Sequence, residues 1–145
     1  MIEINNLLGR PLKYGLNSAL FSTVAKKVLS GEDRESETIS LAFVDKKEIK
    51  KLNNKFRRKR KATDVLSFEL NDKGLPAQAG YLGEIIICPE VVEENAKKYG
   101  VSVKNEMLKV FIHGILHLCG YKHEKAEKEA REMGIRQEKY LSKII

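Results

Sequence analysis

Apolar residues along this chain recur with two different periods. Alternation and β-branched runs mark residues 2–5 (IEIN), 38–44 (TISLAFV), 63–70 (TDVLSFEL) and 81–88 (YLGEIIIC) as strands. Helical spacing takes over elsewhere. Leu16, Leu20, Val24 and Val28 line one face of a helix ending near Gly31, and Ile49, Leu52 and Phe56 mark a second that Asp45 caps. Pro89 suits the first turn of a third helix, which Gly100 ends. Ser102 caps a fourth, from about Val103 to Leu118, apolar over most of its circumference and therefore central and buried. Ala126, Ala130, Met133, Tyr140 and Leu141 outline a last helix from about Glu124, with Gly134 as the place for a bend. Residues 71–80, with Gly74, Pro76 and Gly80, read as a loop. Strands come early and helices late, an order that predicts an α+β domain with one small mixed sheet of about four strands covered by helices.

The 145 residues fit one domain spanning 1–145. The longest apolar runs fall far short of the roughly 20 residues a membrane span needs. The first segment carries Glu3, no basic start and no small-residue cleavage pattern, so it does not read as a signal peptide, and a cytoplasmic location is expected. Cys88 and Cys119 are expected to be reduced.

A net charge of +7 matters less than where it lies. Between Lys46 and Lys61 there are ten Lys or Arg and one acid, so the basic excess belongs to this segment. Two readings stay open: a solvated helix face followed by a charged loop, or a track for a polyanion. The run FRRKRK at 56–61 favours the second, because a phosphate backbone relieves the repulsion among closely spaced cations.

Residues 113–123 read HGILHLCGYKH and hold all three histidines. At about 100° per residue, His113 and His117 lie within about 40° of each other on the buried helix. Gly120 tolerates the left-handed conformation that ends many helices, so the chain can turn there and return His123 to the same face. Three neutral imidazoles suit one Zn²⁺ per chain, and also Ni²⁺ or another divalent metal, and leave a coordination position for water or substrate. The plainer alternative makes His113 and His117 hydrogen-bonded core residues and His123 a surface residue, but burying such rings without partners is costly. The spacing HxxxHxxGxxH is that of the metzincin proteases, whose motif has a Glu general base directly after the first His. Here Gly114 stands in that place, so a peptidase would lack its base.

Taken with FRRKRKATDVLSF at 56–68 and LGEIIIC at 82–88, the histidine motif resembles that of the YbeY family, metal-dependent endoribonucleases of ribosomal RNA maturation. The family form HGxLHLxGYDH is kept except for Lys122 in place of Asp. In FRxKDxPTDVLSF, Arg60 replaces Asp and Ala62 replaces Pro. In the GDI motif Glu84 keeps a carboxylate with one more methylene. The resemblance implies a zincin-like fold with the metal site on the central helix. It also implies a single-strand-specific metal-dependent endoribonuclease acting in 16S ribosomal RNA 3′ end maturation and ribosome quality control, in association with the ribosome. It makes Arg57 a catalytic arginine that pairs with phosphate as charge develops. Arg58, Lys59, Arg60 and Lys61 then hold the strand, and Ser67 either donates to substrate or finishes a turn. Thr63 is expected to be structural, Phe56 to anchor the helix end and Cys119 to pack. A peptidase-like hydrolase without its base and a noncatalytic RNA-binding module with a structural metal are the competing functions.

Overall fold

The computed structural model describes residues 1–121 and 127–144. Parallel pairing joins β1 (Ile2–Asn6) to β2 (Thr38–Phe43) and β2 to β4 (Tyr81–Ile87), while β3 (Val65–Phe68) runs antiparallel to β4 at the edge. The strand order is β1-β2-β4-β3. Parallel neighbours need a long crossover, usually helical, and α1 (Ser18–Gly31) supplies it between β1 and β2. The other helices are α2 (Lys46–Arg57), α3 (Pro89–Tyr99), α4 (Val103–Leu118) and α5 (Glu127–Ile144).

Successive strand side chains point to opposite faces, and both faces of this sheet are covered. One gathers Ile39, Leu41, Phe43, Ile85 and Ile87 against α1, α4 and α5. The other gathers Ala42, Leu66, Phe68 and Ile86 against Ile49, with Leu52 and Phe56 of α2 at its margin. At the centre of the larger cluster Phe21 meets Phe43 and Phe111, with ring centres 5.2 Å apart in both contacts. Full burial of such a side chain contributes about 1.5–3 kcal/mol, so this trio clamps α1 and α4 to β2. Helix α4 touches α1, α3, α5, β3 and β4, which is the central position its apolar circumference predicts.

Local signals set the boundaries. Asp45 accepts from the Glu48 N–H at 2.8 Å and Ser102 from the Asn105 N–H at 3.1 Å, as expected of N-caps. Helix α1 begins later than its apolar face suggests. Asn17 caps it by accepting from the Leu20 N–H, and Leu16 is buried ahead of the helix. The strand read over 63–70 is trimmed at both ends. The Asp64 carboxylate accepts from the Val65 N–H at 2.8 Å, and Glu69 and Asp72 form a capping box that opens a 3₁₀ turn, Leu70–Lys73, running from the last residue read as strand into the stretch read as loop. Helix α5 continues through Gly134 without interruption; its expected start near Glu124 and the marker Ala126 lie outside the described residues.

Gly83 lies where β4 passes β3 and α4, with φ +152°. A Cβ there would run into the Phe68 carbonyl oxygen and stand 2.8 Å from Leu118 Cδ2. Gly83→Ala should therefore lower stability by about 1–3 kcal/mol, the usual cost of overpacking, measured by urea unfolding; a change within experimental error would mean that β3 moves aside freely.

Candidate active site

Helix α4 brings His113 and His117 to one side, both half-buried, with ring centres 5.5 Å apart and planes inclined by 53°. Two imidazoles sharing one tetrahedral ion at about 2.1 Å place their ring centres roughly 5 Å apart, so the pair fits joint ligation. His113 Nδ1 lies 2.9 Å from Gln137 Oε1 on α5. An amide oxygen only accepts, so Nδ1 carries the hydrogen and Nε2 keeps the lone pair that a metal would use. Gln137 is buried and had no role in the sequence reading. Its signal was present nonetheless: with Met133, Tyr140 and Leu141 it occupies the inward stripe of α5, where an uncharged polar side chain needs a partner.

The turn expected after α4 is formed. Gly120 has φ +111°, its N–H reaches the His117 carbonyl at 3.1 Å, and the Tyr121 N–H reaches the Leu116 carbonyl at 3.1 Å. His123 lies outside the described residues. Among the described residues no group of three or more His, Cys, Asp or Glu is placed to hold a metal ion.

His113 and His117 open into a cleft of about 490 Å³ whose other wall includes Arg57, Asp64, Ser67 and Asp72. Arg57 is the last residue of α2. Its Nη2 donates to the Ser67 carbonyl at 2.7 Å and lies 3.7 Å from Asp72 Oδ2, and its guanidinium carbon stands 4.8 Å from the Phe68 ring centre. Lys59, Lys61 and Thr63 also line the cleft, whereas Arg58 and Arg60 are exposed and do not. Arg58 ends α2 in the left-handed conformation (φ +58°). Asn53, buried and overlooked in the sequence, donates from Nδ2 to the Lys61 carbonyl at 3.0 Å and ties the basic turn back to α2. Thr63 Oγ1 donates to Asp64 Oδ1 at 3.3 Å, in line with a structural role.

Packing explains Gly114 independently of chemistry. A Cβ at this position would stand 3.0 Å from Ile85 Cγ2 and 3.1 Å from Ser67 Oγ. The residue that follows the first histidine therefore faces the sheet, where even a Cβ crowds Ile85 and Ser67 and a glutamate would crowd them further. Glu84 is on the opposite sheet face, with its Oε1 bonded to Lys73 Nζ, so its carboxylate is directed away from the histidines. Two turns before His113, Glu106 is buried, and desolvation pushes its carboxyl above the ordinary range, with Lys109 opposing and Asp64 adding to the shift. Cys119 and Cys88 are free thiols. Burial pushes the Cys119 thiol up to about 11, which suits a packing residue.

Known proteins resemble this chain over most of its length. The family model described as Endoribonuclease YbeY matches residues 12–145. The chain belongs to the YbeY family. An Endoribonuclease YbeY of Bdellovibrio bacteriovorus is 45% identical over 108 residues, which cover 74% of this chain and 67% of that protein. A YbeY endoribonuclease of Thermotoga petrophila is 38% identical over 137 residues, covering 93% of this chain and 87% of its own. The solution structure of TM1509 from Thermotoga maritima matches with a TM-score of 0.67 at 34% identity, covering 99% of this chain and 89% of that one. In this YbeY chain Gly114→Glu, which restores the protease pattern, should cost about 1–3 kcal/mol of stability and yield no peptidase; a stable variant that cuts peptides would show that the side chain has room and that only the carboxylate was missing.

Proposed function

We propose that this chain, acting as a single hydrolase domain, cuts single-stranded RNA in the cleft between His113, His117 and Arg57, with ribosomal RNA as substrate. Membership of the YbeY family makes it an endoribonuclease, a hydrolase of RNA phosphodiester bonds. The observation that carries the cleft reading is convergence: imidazoles from α4 and a guanidinium from the end of α2 line one cavity although they are far apart in the chain.

His113, His117 and His123 would hold one divalent ion, zinc or nickel by the chemistry of the donors. What such an ion contributes when bound is Lewis-acid chemistry at the phosphodiester. Gln137 fixes the tautomer of His113. Arg57 is braced on one side by the Ser67 carbonyl and on the other by the Phe68 ring, so its remaining donors can meet phosphate oxygens as negative charge develops, with little reorganisation. Lys59 and Lys61 hold the flanking strand, and Ser67 serves chiefly through its backbone. Arg58 and Arg60, outside the cleft lining, would act on RNA beyond it. We place the activity in the cytoplasm, on ribosomal particles; no helix among the described residues is long and apolar enough to cross a membrane.

The peptidase alternative is weakened by the missing carboxylate and by the crowding at Gly114. A noncatalytic module is separated from an enzyme by turnover. The deciding experiment is metal analysis of purified protein coupled to RNA cleavage with and without chelator. His113→Ala and His117→Ala should lose both bound metal and cleavage. Full-rate cleavage by metal-free His113→Ala protein would sink the proposal.

Arg57→Ala should keep its metal and lose about 10²–10³ in turnover, the scale seen when a donor to developing charge is removed. Equal loss of metal and activity would instead make Arg57 a structural residue. Gln137→Ala should weaken metal binding by about 10–100-fold, the effect expected of a partner that orients a ligand, read by competition with a chelating dye; unchanged affinity would mean that the contact with His113 is incidental.

A further inference from the structure

The exposed face of α2 carries charge that the cleft does not use. At about 100° per residue, Ile49, Leu52, Asn53 and Phe56 share the side turned to the sheet. Lys47, Lys50 and Lys51 lie on the other side, continued at the helix end by Lys55, whose Nζ stands 5.2 Å from the Phe56 ring centre, and by Arg58 in the turn that follows; all five are exposed. Basic residues next to this stripe have acidic partners: Lys46 pairs with Glu90 and Glu94 of α3, and Arg57 leans on Asp72. Among the described residues no ion pair is formed by Lys47, Lys50, Lys51, Lys55 or Arg58. Like charges three and four residues apart weaken a helix, so the stripe is not accounted for by the stability of α2.

Its composition narrows the partner. No large apolar side chain lies on the stripe, which distinguishes it from a helix that embeds in a membrane surface. No aromatic ring is presented for base stacking either; Phe56 faces the sheet and contacts Phe68. What remains is a row of cations suited to phosphates read without regard to sequence. The row also leads somewhere. It ends at Arg58, where the chain turns, and Lys59 and Lys61 directly beyond it line the cleft. From Lys47 to Arg58 the helix advances about 16 Å at 1.5 Å per residue, long enough for several phosphates of one strand.

We propose that the exposed face of α2 is a second RNA-contacting surface, which holds the sugar-phosphate backbone of a long substrate outside the cleft while one single-stranded segment enters it. This rests on the RNA reading of the cleft, but its readout is binding and does not depend on cleavage.

The test compares the full chain with a variant carrying Lys47→Ala, Lys50→Ala, Lys51→Ala and Lys55→Ala. Binding is measured over a range of salt to a short single-stranded oligonucleotide that fills only the cleft and to a long folded RNA. The variant should bind the long RNA at least about tenfold more weakly, with a salt dependence shallower by roughly three phosphate contacts, and should bind the short oligonucleotide within about twofold of the parent. Unchanged affinity for the long RNA overturns the proposal, as does an equal loss on both RNAs. Binding of polyglutamate to the parent protein as tightly as the long RNA also overturns it, in favour of an acidic protein partner. If the fourfold variant does not fold by circular dichroism, Lys50→Gln with Lys51→Gln repeats the comparison, with a smaller shift in the same direction expected. A parent protein that shows this binding pattern yet cuts no RNA supports the surface and removes the cleft reading alone.

Discussion

The closeness of α4 to the sheet is the constraint on which the site depends, and it is set where Gly114 meets Ser67 and Ile85. A larger residue there would lift the helix from β3 and β4 and carry His113 and His117 away from the wall that holds Arg57. The energetic balance allows this arrangement. Apolar side chains such as Phe111, Ile112, Ile115 and Leu116 are fully buried on the same helix, each contributing about 1.5–3 kcal/mol. Partial desolvation of a polar ring costs no more than one or two of them contribute. A helix so strongly held can carry two half-buried imidazoles toward a cleft.

A second constraint fixes α5 along its own axis. Glu32, just after α1, accepts hydrogen bonds from the Tyr140 hydroxyl and from Arg136, so two residues of α5 are tied to one carboxylate. Burial first, and the neighbouring Glu32 second, push the Tyr140 hydroxyl up to about 12, so it remains a donor to Glu32 well above neutral pH. Gly31 has no side chain to obstruct Tyr140. Gln137 lies one turn from Tyr140, and this anchoring holds it level with His113. The orientation of one imidazole thus depends on a contact between α1 and α5 at the far side of the helix layer.

What was legible in the sequence is what is local. Asp45, Ser102 and Gly100 mark helix ends through bonds or backbone angles within a few residues. The histidine pair is visible because four residues make about one turn. Arg57 was singled out by its place in a family motif, since charge alone does not distinguish it from Arg58 or Arg60. The roles of Gly114, Gln137 and Asn53 depend on contacts with Ser67 and Ile85, with His113, and with the Lys61 carbonyl, and no spacing rule reveals such partners. The face occupied by Glu84 was hidden because β4 is apolar on both sides, which removes the alternation that would have placed it. The ends of the strand at 63–70 were missed because Asp64 and Glu69 bond to nearby backbone and so compete with the ladder.

The placement of Arg57 owes more to apolar packing than to charge. The Phe56 ring meets Phe68 with centres 5.2 Å apart, in the cluster that fastens α2 to the sheet. The next residue must then leave the helix beside β3, where the Ser67 carbonyl receives it. The ion pair with Asp72 is long and both side chains are more than a quarter exposed, and such pairs contribute about 0–1 kcal/mol. Salt that screens the attraction to Asp72 leaves the aromatic contact and the bond to Ser67 in place. Ionic strength should therefore act on how firmly this protein holds RNA, through the cations at the surface, and far less on where its arginine points.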